Sequence, residues 1–452
     1  MELKQDTIAA IATAPGQGGI AIIRVSGPEA ERILSELFFP AGQTLPLTSH
    51  LLTYGKIRQG EEVVDECMAV LMRAPKSYTR EDVAELQLHG GNVTARRVLL
   101  LCLEHGARLA EPGEFTRRAF LNGRIDLSQA EAVMSVISAG GEAAQKQAQR
   151  ELAGGASRFI RSGQEELMSI AAGVAACIDY PEEVSEEEAA PELENRLRSL
   201  AASLEQACDE RASRLMRFGL RAVLCGRPNA GKSSLLNALA EEERAIVTDI
   251  AGTTRDTVEA TLTLRGVNVC LTDTAGLRQT LDPVESLGVE RSRRAFREAD
   301  ALLPVLDASA PFTEEDRALL RDCPLEKTLV LINKTDLADG EALRPSLADF
   351  PRLRVQAVSA RDGSGLGEVK TWLADMAEVK GDPALTQPRQ IDAARRARAA
   401  ILRAADSLGQ GLPVDLAAVD LQSAAMALGE ITGDQVDEKL LDRVFEQFCV
   451  GK

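Results

Sequence analysis

Histidine and paired cysteine are scarce in this sequence. Its 452 residues hold three histidines and eight cysteines. The cysteines (Cys67, Cys102, Cys177, Cys208, Cys225, Cys270, Cys323 and Cys449) are scattered with no C-x-x-C pair. Zinc spacing is therefore excluded, and a reduced, cytoplasmic chain is expected rather than a disulfide framework. No run approaches the ~18 consecutive apolar residues of a membrane span, and the N-terminus lacks a secretory leader pattern. Positive charge is short too: 52 Lys and Arg stand against 69 Asp and Glu, for a net charge of −17. Nonspecific polyanion binding needs exposed Lys and Arg, so the balance leaves room only for a local basic patch. Internal repeats and low-complexity segments are absent. What the chain does have is length for about three domains, each able to bury a core.

The stretch Gly226-Arg227-Pro228-Asn229-Ala230-Gly231-Lys232-Ser233 fits G-x-x-x-x-G-K-[ST] and sits between a strand-like run, Arg221–Cys225, and a helix-like run from Ser234. That context is what a phosphate loop requires. Its glycines let successive N–H groups face phosphates at a helix N-terminus. Lys232 would reach the β- and γ-phosphates and the Ser233 hydroxyl would ligate Mg²⁺, with Asn229, Ala230, Gly231 and Ser234 completing the cradle.

Further stretches follow in the order a GTPase uses. Thr248-Asp249-Ile250-Ala251-Gly252-Thr253-Thr254 offers Thr254 as a second Mg²⁺ ligand and γ-phosphate sensor. Asp273-Thr274-Ala275-Gly276 follows the strand Val267–Thr272, bringing a carboxylate to the Mg²⁺ shell and an N–H to the γ-phosphate. Asn333-Lys334-Thr335-Asp336 follows the buried strand Thr328–Ile332. The Asp336 carboxylate only accepts, so it can pair with the two adjacent N–H donors of guanine. Ser359-Ala360-Arg361 would lie over the base. GTP and Mg²⁺ are the expected ligands.

Elsewhere the pattern is mixed. Residues 1–120 read as α/β, with strands at Gly19–Gly27, Cys67–Met72 and Val83–Leu88 and helices from Pro28 to Phe38 and Val93 to Glu104. Residues 121–217 read as helical, with a capping box at Ser128 and Glu131, an apolar stripe of Leu167, Ile170, Val174 and Ile178, and a solvated acidic connection over Glu182–Glu194. Residues 218–379 alternate strands and helices, and 380–452 are helical again. The expected fold is a multidomain α/β chain: an α/β N-terminal domain, a discontinuous helical domain, and an inserted Ras-like, doubly wound P-loop GTPase domain.

One residue that Ras-type GTPases rely on is missing. Where they carry a water-orienting Gln after the D-x-x-G glycine, this chain has Leu277, which cannot form a hydrogen bond. Something else must orient water and neutralise charge. Asn229 has a side-chain carbonyl able to ligate a monovalent cation.

The segments GRPNAGKSS, TDIAGTTRD and DTAGLR resemble the TrmE-Era-EngA group of GTPases. GGIAIIRVSG, ELQLHGG, PGEFTRRAFLNGRIDLSQAEAV and the terminal Phe448-Cys449-Val450-Gly451-Lys452 are similar to the MnmE/TrmE family of tRNA modification GTPases, over essentially the whole chain. The resemblance implies a homodimer whose N-terminal domain binds 5-formyl- or 5,10-methylene-tetrahydrofolate through Arg24, Glu85, Arg124 and Lys452. It implies K⁺ ligands at Asn229, Thr248, Ile250 and Thr253, a catalytic Glu285, and Cys449 close to the uridine chemistry. It also implies an FAD-dependent partner of the MnmG/GidA type and tRNA as substrate, with no membrane association. Rival readings, a ribosome-assembly GTPase or a dynamin-like one, lack support: no GxxG segment or second GTPase unit follows, and no lipid-binding segment is evident. The helix bearing Arg395, Arg396, Arg398 and Arg403 is one basic candidate for tRNA.

Overall fold

The structure, a computed structural model, describes residues 6–42, 45–180, 182–241, 260–273, 296–379 and 383–452. It divides into two units. One comprises Met1–Met134, Glu151–Glu205 and Asp392–Lys452; the other comprises Ser135–Arg150 and Gln206–Ile391.

In the first unit, period-two alternation builds a sheet from β1 (Ile8–Ile11), β2 (Ile20–Ser26), β3 (Phe38–Pro40), β4 (Thr53–Gln59), β5 (Glu62–Met72), β6 (Val83–His89) and β7 (Arg108–Leu109). Its strand order is β3-β4-β5-β6-β2-β1-β7. Only the short β1–β7 pair is parallel. Ile23, Val25, Leu86 and Leu88 turn inward, and the helices Ala30–Leu37 and Asn92–Glu104 cover them with Ile33, Leu34, Val98 and Leu101. β2 lies inside the sheet between β6 and β1. Arg24 is therefore an interior-strand charge placed directly across from Glu85.

A buried arginine ties this sheet to the helix Glu114–Leu121. Arg118 donates to Asp6 Oδ1 at 2.6 Å, Glu114 Oε1 at 3.0 Å and Glu81 Oε1 at 3.1 Å. Burial alone would raise the Glu114 carboxyl, but Arg108, the Glu111 N–H and Arg118 outweigh it and hold the group below its ordinary 4.5. Asp6 behaves likewise: burial opposes, yet Arg108 and Arg118 keep it below 3.8. Groups with depressed folded values contribute stability that is complete above their unfolded values and is lost as pH falls through the folded ones. The window here opens below about pH 4.5. Arg118→Ala removes the buried cation shared by Asp6, Glu114 and Glu81, while Arg108 still pairs with Asp6 and Glu114. It should cost about 1.5–3 kcal/mol at neutral pH, the scale of a charged hydrogen bond. Urea titrations should show that loss shrinking once the carboxyls protonate in acid. An unchanged neutral-pH midpoint would contradict the network's role.

The helices of this unit follow their apolar stripes with two departures. Leu167, Ile170 and Val174 are buried on the helix Gly155–Asp179, but Ile178, at its last turn, is exposed. The helix Leu127–Ser138 begins before Ser128, whose Oγ donates to Ile431 O at 2.9 Å. The reciprocal cap is instead Asp126 with Gln129: Gln129 N donates to Asp126 Oδ1 at 2.9 Å, and Asp126 N to Gln129 Oε1 at 3.1 Å. The acidic stretch is not all connection either, because a helix spans Glu186–Ala207 and carries Glu186, Glu187 and Glu188 in its first turn. Anionic side chains there complement the helix dipole.

In the second unit, β8 (Leu220–Cys225), β9 (Ala260–Leu264), β10 (Val267–Asp273), β11 (Ala301–Asp307), β12 (Leu329–Asn333) and β13 (Arg354–Ala357) form a sheet ordered β13-β12-β11-β8-β10-β9. All pairs are parallel except the β9–β10 hairpin. Near-continuous apolar strands such as Leu329–Asn333 belong in a sheet covered on both faces. Cys208 bridges Leu385 in parallel, so the two ends of the Gln206–Ile391 segment lie side by side.

Candidate nucleotide and tail-lined sites

The phosphate loop follows β8, near the middle of the sheet, and opens the helix Lys232–Glu241. Sheets of this kind bind ligands outside the carboxyl ends of their strands. Three positions of the loop take a positive φ: Gly226 at 140°, Asn229 at 64° and Gly231 at 90°. At Gly231 a Cβ would lie 2.2 Å from Asn333 Nδ2, so that position is restricted to glycine. Lys232 is buried, its Nζ donating to the carbonyls of Gly226 at 3.1 Å and Arg227 at 2.8 Å. The Ser233 hydroxyl donates to Asp273 Oδ2 at 2.6 Å. Two hard oxygen donors so close together suit Mg²⁺, which takes one or two protein oxygens plus phosphates and water.

The Asn333–Asp336 motif is linked to the phosphate loop through one amide. Asn333 is buried; its Nδ2 donates to Ala230 O at 2.9 Å and its Oδ1 accepts from Ala360 N at 3.2 Å. Asp336 Oδ1 accepts from Ser359 Oγ at 3.0 Å, and Arg361 Nη1 lies 3.7 Å from Oδ2. Lys334 adopts φ 66° and its Nζ donates to Asp307 Oδ2 at 2.6 Å. Burial would raise Asp307, but Lys334 and the hydroxyl and N–H of Ser309 hold it below its ordinary value. Sequence reasoning missed Asp307. Its signal was a lone carboxylate ending the apolar strand ALLPVLD. The structure thus gathers Asn229, Ala230, Gly231, Lys232, Ser233, Asp273, Asn333, Ser359 and Ala360 by direct bonds or loop continuity. Ser234 is exposed on the first turn of the helix. Thr248, Asp249, Ile250, Ala251, Gly252, Thr253, Thr254, Thr274, Ala275, Gly276, Leu277 and Glu285 lie outside the described residues.

In the other unit the C-terminal tail folds onto the N-terminal sheet. Gly113 N and Phe115 N donate to the carbonyls of Cys449 at 3.4 Å and Lys452 at 3.1 Å. Gly451 needs φ 94°, and a Cβ there would sit 2.5 Å from Ile11 O. Upstream, the Phe445 and Phe448 rings meet in a tilted pair, centroids 5.3 Å apart, and seal the helix Glu438–Phe445 against Leu127 and Ala130. Arg24 Nε donates to Glu85 Oε1 at 2.8 Å while its Nη1 donates to Gly451 O at 3.3 Å. Tyr78, a residue the sequence reading did not single out, joins the group. Arg24 Cζ lies 5.6 Å and Arg124 Cζ 4.7 Å from its ring centroid. A cavity of about 480 Å³ beside it is lined by His50, Lys76, Tyr78, Arg80 and Arg124. Cys449 is exposed and Lys452 half-buried.

The basic helix offered for tRNA has other work. Arg396 pairs with Glu430 and Asp392, Arg398 with Glu205, and Arg403 with Asp420, fastening neighbouring helices. No helix among the described residues is long and apolar enough to cross a membrane.

Two family models match: "GTP-binding protein TrmE N-terminus" over residues 7–124 and "MnmE helical domain" over residues 127–449. Relatives named tRNA modification GTPase MnmE align along nearly the full chain. The one from Lactiplantibacillus plantarum is 44% identical over 99% of this chain and 98% of its own length. Those from Listeria welshimeri and Geobacillus thermodenitrificans are each 45% identical over 99% of both chains. A solved structure of an Aquifex aeolicus Era variant bound to GDP.AlF4- matches 40% of this chain and 66% of its own, at 28% identity and a TM-score of 0.29. With full-length identity at this level and both family models matched in sequence order, the chain belongs to the MnmE family of tRNA modification GTPases.

Proposed function

We propose that this protein is a K⁺-stimulated GTPase whose hydrolysis cycle serves modification of the wobble uridine of certain tRNAs. Working as a homodimer in the cytoplasm with an FAD-dependent partner of the MnmG/GidA type, it installs a carboxymethylaminomethyl or aminomethyl group at C5. Ser233 and Thr254 hold Mg²⁺, with Asp273 in its outer shell, and Asp336 reads guanine. A reduced folate, held by Arg24, Glu85, Arg124 and Lys452, supplies the one-carbon unit. Cys449, exposed on the tail whose Gly451 carbonyl meets Arg24, would face the incoming uridine.

The observation that carries the folate reading is the convergence of Arg24, Glu85, Tyr78 and the tail. A guanidinium matches the folate carboxylates, a carboxylate matches the donor edge of a pterin, and an aromatic ring offers a flat apolar face. Calorimetry on the intact protein tests it. 5-Formyltetrahydrofolate should bind, and Arg24→Ala or removal of residues 449–452 should weaken binding about 10- to 100-fold, the weight of a charged hydrogen bond. GTP hydrolysis should be unaffected in both. No folate binding to the native protein would sink the reading.

The K⁺ reading rests on Asn229 and Leu277. Asn229 stands in the phosphate loop in a left-handed conformation that Asn tolerates. Thr248, Ile250 and Thr253 would add the remaining ligands, and Glu285 would orient the attacking water through a second water.

A further inference from the structure

A second cavity in the first unit, of about 490 Å³, is left unexplained by folate, guanine nucleotide or tail. Arg124 forms one edge of it. Its floor is the start of the helix Gly155–Asp179, 25 residues long. The cap residue Gly154 sits at φ 81° and has no side chain with which to satisfy the first turn. The opening N–H groups of any helix lack partners within it and carry partial positive charge. Ser157, in that first turn, lines the cavity; it is 4% exposed and its hydroxyl has no hydrogen-bond partner among the described residues. A buried hydroxyl left unpaired at a helix start is unusual in folded proteins and marks a place where something else bonds.

The charged groups around it are unequally committed. Arg124, Arg158 and Arg161 line the cavity, and so do Asp126 and Asp434. Asp126 Oδ1 accepts from Gln129 N at 2.9 Å, with Oδ2 3.8 Å from Arg161 Nη2. Asp434 Oδ2 accepts from Thr432 Oγ1 at 2.7 Å. Both carboxylates thus serve neighbouring turns. Arg158 Nη1 donates to Ala153 O at 2.7 Å, which fixes its guanidinium over the helix start.

We propose that this cavity is a binding site for a phosphate group. Uncapped helix N–H groups, an unpartnered hydroxyl and arginine forks present donors to a tetrahedral oxyanion from several directions. The volume exceeds a lone ion and falls in the range of nucleotide-sized ligands. The phosphate therefore belongs either to a tRNA nucleotide, which rests on the function proposed above, or to a free phosphorylated metabolite, which does not.

The test uses the full chain saturated with GDP and Mg²⁺, so that the phosphate loop is already filled. The melting temperature is followed against inorganic phosphate, with chloride at equal ionic strength as reference, and tRNA affinity is measured separately. Phosphate should raise the wild-type melting temperature. Ser157→Ala should melt no lower than wild type without phosphate, since it loses only an unsatisfied hydroxyl, which a merely structural serine would not allow. It should need about tenfold more phosphate for half the rise, as should Arg158→Gln. Weakening of tRNA binding by the same two variants assigns the phosphate to tRNA; unchanged tRNA affinity with a lost phosphate response assigns it to a free metabolite. No phosphate response in the GDP-loaded wild type, or equal responses in wild type and both variants, overturns the proposal. The phosphate arm is read without reference to uridine modification, so its failure is distinct from failure of that function.

Discussion

Asp336→Asn should lower GTP affinity by about 10⁴-fold, the scale on which a site built to pair with donors rejects a ligand it cannot match. The side chain is 15% exposed and held by the Ser359 hydroxyl, so it is positioned before any nucleotide arrives. An amide presents one donor and one acceptor where the carboxylate presents two acceptors. The guanine amine then meets another donor, whereas xanthine, with a carbonyl in that place, gains a bond. Fluorescent-nucleotide titrations should show GTP binding lost and xanthosine triphosphate binding gained. Undiminished GTP affinity would remove Asp336 from the base site.

The second large effect is ionic. If a K⁺ at Asn229 stands where an arginine finger stands in other GTPases, its ceiling is a rate factor of about 10³–10⁵, or roughly 4–7 kcal/mol of barrier. GTP turnover should be at least about tenfold faster in K⁺ than in Na⁺ at equal ionic strength, since only part of that ceiling depends on ion size. Asn229→Ala should erase the difference, and Glu285→Ala should slow hydrolysis without weakening nucleotide binding. Equal rates in the two salts would leave Leu277 without a substitute.

Much of this architecture is legible in the residues because it depends on local geometry. The alternation in Val83–His89 and the glycine-bounded run at Ile20–Ser26 place two strands whose burial follows their pattern. The phosphate loop announces its strand and helix in the same way. Where local signals compete, tertiary contacts decide. Asp126/Gln129 and Ser128/Glu131 both have capping spacing, and the first pair caps because Ile431 O engages the Ser128 hydroxyl. The acidic run hid a helix start, since charge density and helix-dipole preference leave the same trace. Arg24 alone resembles an edge-strand charge; only the strand order brings it against Glu85 and the tail, 427 residues away in sequence. Asp307 and Tyr78 escaped because their partners, Lys334 and the two arginines, are distant in sequence.

The central claim is that GTP chemistry in one unit serves uridine modification linked to the tail in the other. Its most direct test is mass-spectrometric nucleoside analysis of tRNA from a strain deleted for this gene and complemented with variants. The C5-modified wobble uridine should disappear on deletion and return with the native gene. It should fail to return with Lys232→Ala, which lacks the phosphate-loop cation, or with a chain truncated before Cys449. Modified uridine persisting at native levels in the deletion strain would contradict the account.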